Sequence, residues 1–444
     1  MAETKESTPV EPDWAAFVAI DWADQKHFWR LAEAGSGRQE YGEVENTPEA
    51  VDVWATGLNV RFGGRPIAVC LEQSRGSLVC LLAKYAHLVL FPVHPKTAAQ
   101  YRETFCPSGA KSDPSDTASL LDLLLRHRDK LRPLAPDTTE TRLLQILVEG
   151  RRLLVDEKTR EKNRLTACLK MYFPQILQWF DEVDSAVVGE LLKTWPTLPD
   201  LQHAHPGTLR RFFHEHNCRG EERIQERIAA IYQAMPATED AAIVEGESLR
   251  ARALVELLAV LRSQIATYDR RIAEVVAAHP ERDLFASLPG AGEVLVPRLI
   301  VALGTRRERF DSAYEIQCFS GIAPVTESSG KNRWVHFRVA CPKFLRQTFH
   351  EFAAQSIAQS GWARAYYEAQ KENKKSHHAA VRSLAFKWIR IIYRCWKDGK
   401  PYDEETYLRS LKRTGSPLID RFQPDTVGQW KTVAGFQKFS PLPS

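Results

Sequence analysis

The sequence predicts a multidomain protein: an α/β domain with a mixed sheet, a helical middle, and a mainly helical C-terminal domain. Three observations carry this expectation. Strand and helix signals alternate over the first 130 residues, the stretch from Thr138 to about His279 reads almost wholly as helix, and a Pro-Gly turn near Asp283 opens a further helical unit. A length of 444 residues suits two to four domains at ~100–200 residues each. With 44% of the side chains hydrophobic, real cores can form and wholesale disorder is excluded. No run approaches the ~18 apolar residues of a membrane span; the densest, around Leu120–Leu125, is interrupted by Asp122. The eight cysteines are scattered, without a CxxC pair, so a reducing compartment and no membrane are expected.

Residues 1–13, acidic and proline-bearing, are unlike a secretory or transit leader and are expected to be disordered. The α/β domain covers 14–137. Its first apolar strand, Ala15–Ile20, ends at Asp21, and Phe28–Leu31 and Glu40–Val44 follow as the next two strands. A helix is expected over Pro48–Arg61, a buried strand over Pro66–Leu71 ending at Glu72, a helix near Leu78–Ala86, and a last strand over Leu88–Val93. Three meandering strands followed by alternating helices and strands is the order of a ribonuclease-H-like fold.

Residues 138–282 form the helical linker region. Leu165, Cys168, Leu169 and Tyr172 follow the i, i+3, i+4, i+7 rule. Leu254, Leu258, Leu261, Ile265, Tyr268, Ile272 and Val275 are spaced alternately four and three apart, an a/d seam over three heptads. That seam predicts a coiled coil and a homo-oligomer, dimer or tetramer; an amphipathic helix packed inside one subunit shows the same period. Residues 283–400 form the C-terminal domain, opened by Leu288-Pro-Gly-Ala-Gly292 before a helix from about Glu293 to Leu303. Gly290 and Gly292 permit close backbone approach, and a helix N-terminus offers free N–H groups to a phosphate. The arrangement resembles the hairpin of a helix-hairpin-helix element, although a structural turn looks the same. Residues 401–444 turn polar and proline-rich and read as a C-terminal tail.

Charge is unevenly spread. Residues 331–400 hold 15 Lys/Arg and four Asp/Glu, a net of +11 against +4 for the whole chain, so the remainder carries −7. Trp334, Trp362, Tyr366, Tyr367, Trp388, Tyr393 and Trp396 lie in the same segment. Cations that displace counterions beside aromatic faces that stack on bases suit a nucleic acid; a solvated basic surface over an aromatic core is the bland reading.

Four acidic residues are placed suggestively. Asp21 and Glu72 each end a buried strand, and Asp113 and Asp116 stand i, i+3 in Lys111-Ser-Asp-Pro-Ser-Asp116 at the start of a helix. Four gathered carboxylates repel unless cations neutralise them, and Mg²⁺ or Mn²⁺ is the natural partner of oxygen ligands. Singly, each acid has an innocent role: Asp113 as a helix cap, Asp21 as a turn residue, Glu72 paired with Arg75. His214, His216 and Cys218 lack a suitably spaced fourth ligand for zinc.

With these acids, Leu288-Pro-Gly-Ala-Gly292, Arg309-Phe310, Phe319-Ser-Gly-Ile-Ala-Pro324 and Ser328-Ser-Gly-Lys331 occur in order over nearly the whole chain. In this the sequence resembles the DEDD transposases of insertion-sequence family one hundred and ten, the bridge-RNA-guided serine recombinases. The resemblance implies a RuvC/ribonuclease-H-like first domain whose Asp21, Glu72, Asp113 and Asp116 hold Mg²⁺ or Mn²⁺. It also implies a nucleophilic serine in the second domain, Ser329, with Ser328 as runner-up. Lys331, Arg333 and Arg338 would hold the scissile phosphate, and Gly330 would permit close approach. The sequence departs from the family over Val339–Arg346, where Lys343 and Arg346 remain as phosphate contacts, and at Thr117, where alanine is usual.

The implied activity is cleavage and strand exchange between donor and target double-stranded DNA, specified by a guide (bridge) RNA, in the cytoplasm of a prokaryote. Two other functions fit the residues: a metal-only, structure-selective nuclease using water, and a non-catalytic nucleic-acid-binding scaffold.

Overall fold

The computed structural model describes residues 12–105 and 112–421. Most of the leading segment read as disordered, Lys111, and the tail beyond residue 421 lie outside the described residues. The chain divides into two compact units, 1–136 and 137–444. Among the described residues no helix is long and apolar enough to cross a membrane.

The first unit is a five-stranded mixed sheet flanked by helices, as its alternating pattern predicts. Strands β1 (Ala16–Asp21), β2 (Lys26–Glu33) and β3 (Gln39–Glu45) form an antiparallel meander. Helix α1 (Pro48–Arg61) then returns the chain to β4 (Ile67–Leu71), and α2 (Ser77–Leu82) leads to β5 (Leu88–Pro92); both strands run parallel to β1. The sheet order is β3-β2-β1-β4-β5. The central strands β1 and β4 are buried on both faces, hence their unbroken runs Ala-Phe-Val-Ala-Ile and Ile-Ala-Val-Cys-Leu. On one face Val18, Ile20, Val69 and Leu71 pack with Val51, Ala55 and Leu58 of α1. On the other, Phe17, Ala19, Ala68 and Cys70 meet Ala98 of α3 (Pro95–Phe105) and Leu120, Leu121 and Leu124 of α4 (Asp113–His127).

The second unit is built on two long antiparallel helices, α5 (Thr139–Tyr172) and α11 (Ala241–Ala277); five short helices, α6–α10, lie between them in residues 176–233. The heptad seam of α11 meets its partner here. Leu254 and Leu258 share a core with Leu165, Leu169 and Tyr172 of α5, while Ile272 and Val275 share another with Leu144 and Val148. Between these ends Leu261 and Ile265 are half-buried, and Gly150 of α5 leaves space that a Cβ would contest with the Tyr268 ring, 2.8 Å away. The seam expected to recruit a second copy is thus answered by α5 of the same chain. It follows that Leu258→Glu, placing a charge at a 1% exposed site, should destabilise the fold by about 3 kcal/mol or more. Leu257→Glu, at a 52% exposed neighbour, should stay within about 0.5 kcal/mol; urea unfolding of both variants checks this.

The remaining elements complete the second core. They are α12 (Arg282–Ala286), α13 (Leu295–Leu303), α14 (Ala313–Phe319), hairpin strands β6 (Val325–Ser329) and β7 (Asn332–His336), α15 (Lys343–Gln359), α16 (Gly361–Glu372), α17 (His377–Asp398), α18 (Glu404–Arg413) and α19 (Leu418–Arg421). Trp362, Trp388 and Trp396 are fully buried in it. The first part of the expected tail is therefore helical, and Leu411 and Leu418 are buried in the same core. Gly290 has a φ of +84°, and a Cβ there would stand 3.0 Å from the backbone of Gln355. Its glycine is demanded by packing against α15. Gly292 has open space around it.

Candidate active site

The sheet of the first unit brings acids to one edge. Parallel pairing of β1 with β4 sets Ala19 opposite Cys70, and Asp21 and Glu72 each stand two residues further on. By the two-residue repeat of a strand they share the face of Ala19 and Cys70, the face that α3 and α4 cover. Burial pushes the Cys70 thiol up to about 12, with the nearby Glu72 carboxylate adding to the rise.

Helix α4 delivers the other pair. Ser112, rather than Asp113, caps it through a reciprocal bond with Ser115, and Pro114 follows within the first turn. Asp113 and Asp116 both occupy that turn, where the helix dipole favours negative charge. They differ in setting: Asp113 is exposed, whereas Asp116 is 4% exposed. Asp116 accepts a bond from Arg102 of α3 at 2.5 Å. With Glu72, Tyr101 and Ser119 this pair lines a cleft too tight for a water molecule.

The structure thus joins Glu72 and Asp116, sets Asp21 at the adjoining strand end, and leaves Asp113 on the rim. Among the described residues no three Asp, Glu, His or Cys side chains come close enough to share one ion. Arg102 is the cation that the structure sets beside Asp116. Its guanidinium already supplies the positive charge a divalent cation would bring, and its own proton is held more tightly by Asp116 first and by Glu72 in smaller part. In donor chemistry the site fits a divalent cation: hard carboxylate oxygens on one sheet face, with Asp116 buried. Arg102 was not singled out in the sequence; its only signal is a cation on the helix preceding the acidic one.

Ser328 and Ser329 lie in the second unit, on the exposed hairpin β6–β7. No strand is expected over this stretch from the sequence. The missed signal is a Ser-Gly turn flanked by Val325-Thr326 and Trp334-Val335. Ser329 pairs with Asn332 across a two-residue turn, Gly330-Lys331, and Gly330 takes a φ of +58°, as such turns require. Alternation puts Ser329 on one face with Glu327, Asn332, Trp334 and His336, and Ser328 on the other with Thr326 and Arg333. Neither serine hydroxyl has a partner among the described residues. Lys331 and Arg333 are exposed and unpaired there, as is Lys343 at the start of α15. Arg338 is committed inward, donating to the Ala323 carbonyl at 3.2 Å and reaching Cys318 Sγ at 3.8 Å. Arg346 donates to the Arg338 carbonyl at 3.2 Å.

Comparison with known proteins agrees with these two regions. A DEDD transposase family of the IS110 type matches residues 18–174, which include all four acids. The transposase family IS116/IS110/IS902 matches residues 282–368, which include the hairpin. Together they span more than half of the chain. The chain is 25% identical over 421 residues to the mini-circle protein of IS117 from Streptomyces coelicolor, covering 90% of this chain and 98% of that one. It is 26% identical over 408 residues to a protein of insertion element IS900 from Mycobacterium paratuberculosis, covering 89% and 98%. A protein of insertion element IS110 from Streptomyces coelicolor is 25% identical over 351 residues, covering 78% and 85%. Transposases cut and rejoin DNA, and the chain is an enzyme of that kind. It belongs to the IS110/IS116/IS902 family of DEDD transposases.

Proposed function

We propose that this transposase is an RNA-guided DNA recombinase that cuts and rejoins donor and target through Ser329. The observation that carries the reading is the hairpin: Ser329 stands beside a glycine turn, its hydroxyl without a partner among the described residues and exposed Lys331 in the turn next to it. A residue so exposed has no packing role. In the reaction, Ser329 Oγ attacks phosphorus, an Oγ–P bond forms, and one P–O bond to a deoxyribose breaks. The proton leaving the serine ends on the released sugar hydroxyl. Reversal onto a hydroxyl of the other duplex rejoins the strands without external energy, since one phosphoester replaces another.

Asp21, Glu72, Asp113 and Asp116 would hold Mg²⁺ or Mn²⁺, which when bound supplies positive charge to phosphate oxygens. In this reading the first unit is ribonuclease-H-like, Leu288–Gly292 serves as a helix-hairpin-helix turn, Lys331, Arg333, Arg338, Lys343 and Arg346 contact phosphates, and the guide RNA binds the first unit and the basic segment. The enzyme works as a homo-oligomer in a prokaryotic cytoplasm.

The test is to trap the reaction on labelled duplex with the co-purifying RNA retained, and to map any protein–DNA adduct by mass spectrometry. A nucleotide esterified to Ser329 is the expected result. Cleavage without an adduct would support the metal-only nuclease instead, and an adduct on Ser328 would move the nucleophile to the opposite face of the hairpin.

A further inference from the structure

Helices α15 and α17 pack together through Phe352 and Trp388, whose ring centroids lie 5.2 Å apart. At one end of this contact each helix contributes two basic groups one turn apart: Arg346 and His350 from α15, His378 and Arg382 from α17. His350 Nε2 and His378 Nδ1 are 3.4 Å apart. Phe337, the residue after β7, lies against both arginines, with guanidinium carbons 4.9 and 5.0 Å from its ring centroid. Among the described residues no carboxylate comes within ion-pair distance of any of the four basic groups.

Two guanidiniums thus share one ring beside a pair of imidazoles, with no carboxylate to compensate them among the described residues. Burial lowers the Arg382 pKa and the neighbouring Arg346 lowers it further. Burial also pushes His350 down to about 4, with His378 and Arg382 adding to it, so this imidazole is neutral near pH 7. Stacking on Phe337 fixes the guanidiniums; Arg346 Nη1 donates to the Arg338 carbonyl, and the remaining N–H edges, those of Arg382 among them, suit recognition of a tetrahedral oxyanion. A like-charged cluster of this kind is strained until an anion enters it.

We propose that Arg346, Arg382 and His378, backed by His350 and capped by Phe337, form an anchoring site for a backbone phosphate of bound DNA. It is not the phosphate that Ser329 attacks: five strand residues at ~3.3 Å each put the base of the hairpin roughly 17 Å from its tip. The site holds a flanking phosphate and so sets where the duplex lies against the hairpin. These are positioning residues, and the inference rests on the reading of the hairpin as a DNA-facing element.

The test uses the full chain and a fluorescently labelled duplex, with affinity measured by anisotropy across a salt series. Arg382→Gln should weaken binding roughly 3–10-fold near ~0.1 M salt and reduce the slope of log K against log salt by about 1. Arg382→Lys should keep most of the slope. Thermal melting of Arg382→Gln should be no lower than wild type, because one of two repelling charges is gone. Wild-type binding with an unchanged slope in the variant would overturn the site while leaving the function standing. A wild type that binds no DNA would sink both. A loss confined to a labelled RNA, or a phosphate-induced rise in melting temperature without any DNA effect, would also overturn the DNA assignment. If Arg382→Gln melts well below wild type, Arg346→Gln takes the same measurements; a purely structural loss in both would end the proposal.

Discussion

Ser329→Ala is expected to abolish strand cleavage, with a loss on the order of a thousandfold or more, because in the proposed reaction its oxygen attacks phosphorus and becomes covalently bound. The fold should be indifferent to the change. Ser329 is exposed, its hydroxyl bonds to nothing among the described residues, and its backbone pairing with Asn332 survives in alanine. Unchanged thermal melting together with lost cleavage is therefore the diagnostic pair of results. A variant that still cuts at a comparable rate would return the chemistry to water or to Ser328. Ser328→Ala should leave cleavage within a few-fold, since that side chain points to the face of the hairpin opposite Ser329.

Asp116→Ala should have an equally large effect on activity and, unlike the serine change, a visible one on stability. In the proposed reading Asp116 helps to hold the cation whose charge falls on a phosphate, and losing it costs several kcal/mol of barrier, or roughly a thousandfold. The fold loses the partner of Arg102, whose side chain is 19% exposed against 4% for Asp116. Leaving that guanidinium partly shielded and unpaired should cost about 1–3 kcal/mol in denaturant unfolding. Arg102→Gln should act in the opposite sense on cation binding. Without the resident guanidinium, Mn²⁺ should raise the melting temperature of this variant more than that of wild type, and an equal shift in both would show that Arg102 does not compete with the ion. Mixing Ser329→Ala with Asp113→Ala protein asks whether one site draws on two subunits: activity should return only in mixed oligomers that share sites.

The α/β unit was legible because its buried central strands advertise themselves as unbroken apolar runs, and Asp21 and Glu72 stand where those runs stop. What periodicity could not supply was the identity of the partner. The stripe from Leu254 to Val275 is the same whether a second copy or α5 covers it, and the choice depends on long-range chain reversal through residues 173–240. Gly290 likewise read as a point of close backbone approach, and the partner it meets in this chain, the backbone at Gln355, is remote in sequence. Arg102 stayed hidden because an ion pair between two separate helices leaves no repeat or motif. The β6–β7 hairpin was overlooked because its strands are five residues each and exposed on both faces, so hydrophobic alternation is faint.

The antiparallel pairing of α5 with α11 makes that part of the molecule a ruler. Its 34-residue helix spans about 51 Å at ~1.5 Å per residue. Both cores sit at its ends, and the middle, half-buried and largely polar, contributes length rather than cohesion. Length can then be edited without touching either core. Removing one matched heptad from each helix would shorten the span by about 10.5 Å and turn the far end by only ~20°, whereas removing three or four residues from one helix alone would rotate every seam residue away from its partner. A graded series of matched deletions would therefore change the reach of the helical head in steps, as one shortens a caliper.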